Sequence, residues 1–155
     1  MTDGFIGLKF ANDLITLLNG KWKASGGAKP LFQTQWNMKN VGLGSRNYNQ
    51  VIISIDAENP QIYSMMQGDA TDATKFTYDW LHDVSISIDV RTSESESRVL
   101  QLVDEIMRIL KTNVVPTINN RTYIQMLPEG ITSLNEEYRN LYRYLISVSA
   151  IKLNP

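Results

Sequence analysis

From Lys75 to Val90 the chain alternates without a break: Phe76, Tyr78, Trp80, His82, Val84, Ile86, Ile88 and Val90 stand against Lys75, Thr77, Asp79, Leu81, Asp83, Ser85, Ser87 and Asp89. A period of two is the mark of a β-strand whose two faces meet different surroundings. At about 3.3 Å per residue such a strand spans roughly 50 Å, against ~20 Å for a usual strand. A small sheet cannot cover all of it. The aliphatic half, Val84 to Val90, belongs in a core. The aromatic half is expected to run outward with Gln61 to Met66 as a projecting β-hairpin arm over residues 61–80, with polar Gln67 to Thr74 at its tip.

The partner strand opens at Val51, Ile53 and Ile55, and the intervening Ile52 predicts that both faces are covered. Pro60 cannot donate to a ladder, so Ala57 to Pro60 predicts a weakened stretch at an edge or bulge, with pairing resuming at Gln61. Residues 5–18 read as an amphipathic helix with Ile6, Phe10, Leu14, Leu17 and Leu18 on the buried side and Lys9, Asn12 and Asp13 on the other. Thr2 or Asp3 can cap its start, and Asn19-Gly20 supplies a stop. Ser93 and Glu96 have capping-box spacing ahead of a second helix carrying Val99, Leu102, Val103, Ile106, Met107 and Leu110. Tyr123 to Leu127 predicts a strand, Pro128-Glu129-Gly130 a turn, and Ile131 to Leu134 a short extension. The last strand, Leu141 to Leu153, puts Tyr142, Tyr144, Ile146, Val148 and Ala150 on one face.

Between Gly20 and Gln50 no period is visible, and Trp22, Phe32 and Trp36 are isolated anchors in a Gly-, Asn-, Ser- and Lys-rich stretch. A connection this long predicts either a contact surface or a loop pinned to the core by its aromatics. The 155 residues, 43% of them hydrophobic, suffice for one domain over 1–155 with its own core. The order helix, strand, strand, helix, strand, strand predicts an α+β fold. Its four-stranded, mainly antiparallel sheet would carry two helices on one face.

Chemistry is sparse. With no cysteine there is no disulfide, thiolate nucleophile or cysteine-held zinc. His82 is the one histidine, and it shares its strand face with Trp80 and Val84, the company of a packed residue rather than of a general base. Asp79, Asp83 and Asp89 repeat on the opposite face, but no acid-base pair follows on a neighbouring strand to complete a nuclease site, so they read as solvent-facing carboxylates. Asp69 and Asp72 lack the ligand density of a calcium loop. Gly26-Gly27 and Gly42-Leu43-Gly44 lack the surroundings of a phosphate loop. We therefore expect no enzyme, cofactor or metal site. No run of about 18 apolar residues predicts a membrane span, and nothing at the start reads as a secretory leader.

Two surfaces remain. The arm carries Ile62, Tyr63, Met65, Met66, Phe76, Tyr78 and Trp80; if these cannot all reach a core they form a partner-binding patch, the alternative being an arm folded back over the sheet. The net charge is -1, yet the first fifty residues hold Lys9, Lys21, Lys23, Lys29, Lys39 and Arg46 against Asp3 and Asp13. Lys21, Lys23, Lys29, Lys39 and Arg46 thus form a candidate channel-lining or DNA-facing set, the alternative being a solvated loop.

The opening helix Phe5 to Leu18, the strand ending Ser85 to Val90, the helix Ser95 to Leu110 and the closing strand through Tyr144 to Val148 together cover most of the chain. In this order they resemble the tail-terminator, or tail-completion, proteins of long-tailed bacteriophages. Head-completion and other neck proteins show a similar pattern, and the stretch from Gly20 to Gln50 departs from compact versions of it. The resemblance implies a non-enzymatic virion protein assembled in the host cytoplasm. It further implies a self-associated ring, typically hexameric, that stacks on the tail tube protein, stops its polymerisation and meets the head connector or stopper. DNA would pass through its channel without sequence-specific binding. A nucleic-acid-binding domain built on the lysines is the alternative from another class.

Overall fold

The computed structural model describes residues 4–37, 49–67, 76–135 and 141–154, with the side chains of 37, 64–67, 76–78 and 154 outside the description. The elements in order are helix α1 (Ile6–Lys21), strands β1 (Leu31–Thr34), β2 (Asn49–Gln67) and β3 (Phe76–Thr92), helix α2 (Glu96–Thr112), and strands β4 (Thr117–Ile118), β5 (Arg121–Thr122), β6 (Gln125–Ser133) and β7 (Tyr142–Asn154). Single 3-10 turns lie at Ala24–Gly26 and Gln35–Asn37.

The main sheet has five strands in the order β1-β2-β3-β7-β6, not four, and it is mixed. The added strand comes from the stretch expected to be a loop. Leu31 to Thr34 lie parallel to Gln50 to Ile53, while every other pairing in the sheet is antiparallel. β2 also runs unbroken through Pro60, which pairs with His82, at the expense of bulges between Ile55 and Ala57 and between Ile62 and Ser64. Proline is tolerated there because β1 pairs only as far as Ile53, so among the described strands the outer side of β2 has no ladder for it to serve. Pro128 to Gly130 are not a turn. They form a bulge inside β6, which keeps pairing with β7 from Gln125 to Ser133.

Alternation places the core on one face. Val51 and Ile53 of β2, Val84, Ile86, Ile88 and Val90 of β3, and Ile146, Val148 and Ala150 of β7 are buried against Ile6, Phe10, Leu14 and Leu18 of α1 and Val99, Leu102, Ile106, Ile109 and Leu110 of α2. Each fully buried aliphatic side chain contributes about 1.5–3 kcal/mol. Ile52 is also buried, on the other face, as expected. α1 ends at Lys21, running through the Asn19-Gly20 stop expected after Leu18. α2 is capped by Ser95, whose Oγ accepts the Arg98 N–H at 3.1 Å, so the cap lies two residues beyond the Ser93 expected.

Of the three anchors in the 20–50 stretch, Trp22 and Phe32 pack edge to face with centroids 5.6 Å apart and sit against the core, whereas Trp36 is 47% exposed. Asp13 is not on the solvent side of α1. It is fully buried and accepts from Asn119 Nδ2, Arg121 Nε and Nη2, and Tyr123 Oη. These donors come from and follow the β4–β5 hairpin, whose turn residues Asn119 and Asn120 both have positive φ, as a type I′ turn requires.

Candidate assembly interface

β3 pairs with β7 only as far as Trp80, the register partner of Asn154, whereas its pairing with β2 continues to Phe76 and Gln67. Past Trp80, therefore, the described sheet narrows to two strands. Ile62 pairs with Trp80, and the second bulge at Tyr63 sits next to it. Ile62 is 56% and Tyr63 66% exposed, and Trp80 is half-buried. Met65 and Tyr78 are register partners, as are Met66 and Thr77, and Gln67 and Phe76. The side chains of Met65, Met66, Phe76 and Tyr78, the tip over 68–75 and its Asp69 and Asp72 lie outside the described residues.

The root of this extension holds a polar cluster. His82 is 3% exposed, and its Nδ1 lies 3.0 Å from Glu58 Oε2. That carboxylate also accepts the N–H of Ile6 at 3.1 Å and of Gly7 at 2.5 Å. The first amides of a helix have no partner within it, and Phe5 at the N-cap offers no side chain. Glu58 takes that role; Thr2 and Asp3, the caps expected from the sequence, lie outside the described residues. Gly7 leaves the room, since a Cβ there would stand 3.1 Å from Glu58 Oε1. Nothing in the sequence pattern around Glu58 announces this contact.

On the sheet face away from the helices, Asp89 is not a solvent-facing carboxylate. It is 7% exposed and accepts from Arg91 Nη2 at 2.7 Å and Arg143 Nη2 at 2.8 Å. These arginines are register partners, and Asp89 offsets the repulsion between them. Asp79 and Asp83 are half-buried on the same strand. Among the described residues no group of three or more acidic or histidine side chains is placed to hold a metal ion.

Lys21, Lys23 and Lys29 are exposed, and Lys39 and Arg46 lie outside the described residues. Lys21 and Lys23 flank a cavity of about 410 Å³ shared with Trp22, Arg108 and Thr112. Lys29 Nζ donates to the Asn19 carbonyl at 2.9 Å. The backbone beneath them is fixed by α2. Glu105, 2% exposed, accepts from Arg108 Nη2, from Lys23 N at 2.9 Å and from Ser25 Oγ at 2.9 Å. The Arg108 guanidinium, opposed by burial and aided by the Lys23 and Ser25 donors, lowers the Glu105 pKa to about 2. Arg98 donates to the carbonyls of Gly26 and Ala28. The lysines thus sit on an ordered segment.

Among the described residues no helix is long and apolar enough to cross a membrane. No family model matches the sequence, and no curated protein matches it. Among solved structures the chain is similar to one in the virion of a native gene transfer agent (GTA) particle, over 94% of each chain, with a TM-score of 0.52 and 13% identity. At that identity the likeness is one of fold.

Proposed function

We propose that the chain is a structural virion protein that closes into a ring at the head-proximal end of a tail, stopping tube growth and joining tail to head connector. The observation that carries this is the β2–β3 pairing that runs out to Gln67 and Phe76, with Ile62 and Tyr63 set out in solvent at 56% and 66% exposure. An apolar, aromatic strand pair of this kind serves as an anchor for another protein. The shared fold with a chain of a GTA virion supports an assembly role. The engagement of Glu58, Asp89, Glu105 and Asp13 in structural pairs fits the same reading.

The sheet itself offers the means of ring closure. β2 beyond Ile53 and β6 are edges among the described strands, and three antiparallel steps separate them, so they run in opposite directions. Head-to-tail contact between copies would bring those edges together as an antiparallel pair, and a rotation that closes yields a ring with two unlike faces. Such a ring can match a tube end on one face without propagating from the other.

Mass photometry of the protein alone and with tail tube protein tests this. A discrete oligomer, formed alone or on the tube, is the expected result. A monomer in both conditions overturns it. Binding to the head connector without binding to the tube would instead assign a head-completion or neck adaptor. Lys21, Lys23 and Lys29 would face DNA in transit, and steep loss of DNA affinity with salt in the isolated chain would favour the nucleic-acid-binding alternative.

A further inference from the structure

Among the described residues β2 has a sheet neighbour on one side only once it passes Ile53, and its first bulge lies just beyond, between Ile55 and Ala57. Past the bulge, Glu58 pairs with Val84, a core residue of β3, so Glu58 falls on the helix side of the sheet. Its side chain is 7% exposed and binds three donors: Ile6 N, Gly7 N and His82 Nδ1. A carboxylate in its ionised form only accepts, and the partner it then needs from His82 is the Nδ1–H tautomer. Charge-assisted bonds of this kind, shielded from water and at the positive end of a helix, are the strong ones.

We propose that Glu58, steadied by His82, is the positioning residue of the arm: it fastens the root of β2 to the first turn of α1 and fixes the angle at which 61–67 and 76–80 leave the body. Among the described residues, β3 is the one strand that pairs with β2 past Ile53. An arm whose angle is set in advance loses less freedom on docking, which tightens association without a new contact. The functional weight of this rests on the arm being a docking element; the geometry does not.

The chain has no cysteine, so Tyr63→Cys and Ser97→Cys, both at exposed positions, accept spin labels without a background. Pulsed electron resonance on the isolated chain then reads the arm-to-α2 distance. The expected result is a narrow distribution that at least doubles in width in Glu58→Ala, with amide exchange at Ile6 and Gly7 at least tenfold faster. Faster exchange with an unchanged width would mean that Glu58 only caps α1, and would overturn the proposal. Glu58→Gln, which keeps one acceptor oxygen, is expected to fall between the two, and it serves if Glu58→Ala does not fold. An unchanged width in Glu58→Gln then overturns the proposal as well. A wild-type chain that never associates would remove the docking role, while the distance measurement would still decide what Glu58 does.

Discussion

Asp13 and Arg121 stand 108 positions apart and meet as a bidentate pair, Nε to Oδ2 at 2.8 Å and Nη2 to Oδ1 at 2.7 Å. Asp13 is fully buried, so its charge is tolerable only because these donors, with Asn119 and Tyr123, satisfy it. The pair fastens the β4–β5 hairpin to α1. Tyr123, whose phenol pKa is pushed up first by burial and then by the Asp13 carboxylate, also packs its ring on Phe10 at 5.0 Å.

Removing the cation strands the carboxylate. Arg121→Met is expected to cost about 3–5 kcal/mol in urea denaturation, whereas Tyr123→Phe, which removes one donor of several, is expected to cost about 1 kcal/mol. Equal losses from the two substitutions would show that Asp13 is not held chiefly by Arg121.

Glu105 gives an acid-range prediction. Its pKa falls from 4.5 to about 2 on folding, so the stability it contributes is present above pH 4.5 and is lost as the pH drops toward about 2. Glu105→Gln is expected to be less stable than the wild type by about 2 kcal/mol at neutral pH. Between pH 4.5 and 2 that gap should close. A gap that stays constant on acidification would rule out an ionised Glu105 as the clamp on Lys23 and Ser25.

The elements with a local period were legible in the sequence. The alternation of β3, the faces of β7 and the apolar stripes of both helices follow from spacing alone. β1 was not, because four residues hold no period and Leu31 to Thr34 become a strand only by lying beside Gln50 to Ile53. Asp13 reads as polar by type, yet its place signals otherwise: it stands three residues after Phe10 and four before Leu17, on the buried stripe. Glu105 stands likewise between Leu102 and Ile109. An acid inside an apolar stripe forecasts a buried partner, although not which one. The Glu58 contact with α1 depends on a bulge, and a bulge depends on the partner strand, so spacing within one segment is silent about it.

The turn at Asn119 and Asn120 tests the hairpin separately. With φ at 63°, Asn120 is in the left-handed region, where a β-branched side chain costs about 1–2 kcal/mol and glycine costs nothing. Asn120→Val is expected to lower Tm by roughly 2–8 °C, and Asn120→Gly to leave it nearly unchanged, in calorimetry. If both variants melt with the wild type, the turn does not hold this conformation in solution.

Ile62 and Tyr63 separate assembly from folding. Being 56% and 66% exposed, they contribute little to the isolated chain, so Ile62→Ser with Tyr63→Ser is expected to change its stability by no more than about 0.5 kcal/mol. If both become buried against another subunit or the tube, their loss removes about 3 kcal/mol of association, roughly a hundredfold in Kd. Sedimentation velocity on the variant should show an oligomer that dissociates at concentrations where the wild type stays assembled. Unaltered association with unaltered stability would locate the interface elsewhere, and the sheet edges at β2 and β6 would then be the surfaces to disrupt. Loss of folding instead would mean that the two side chains are packed in the free protein, against the exposure they have here.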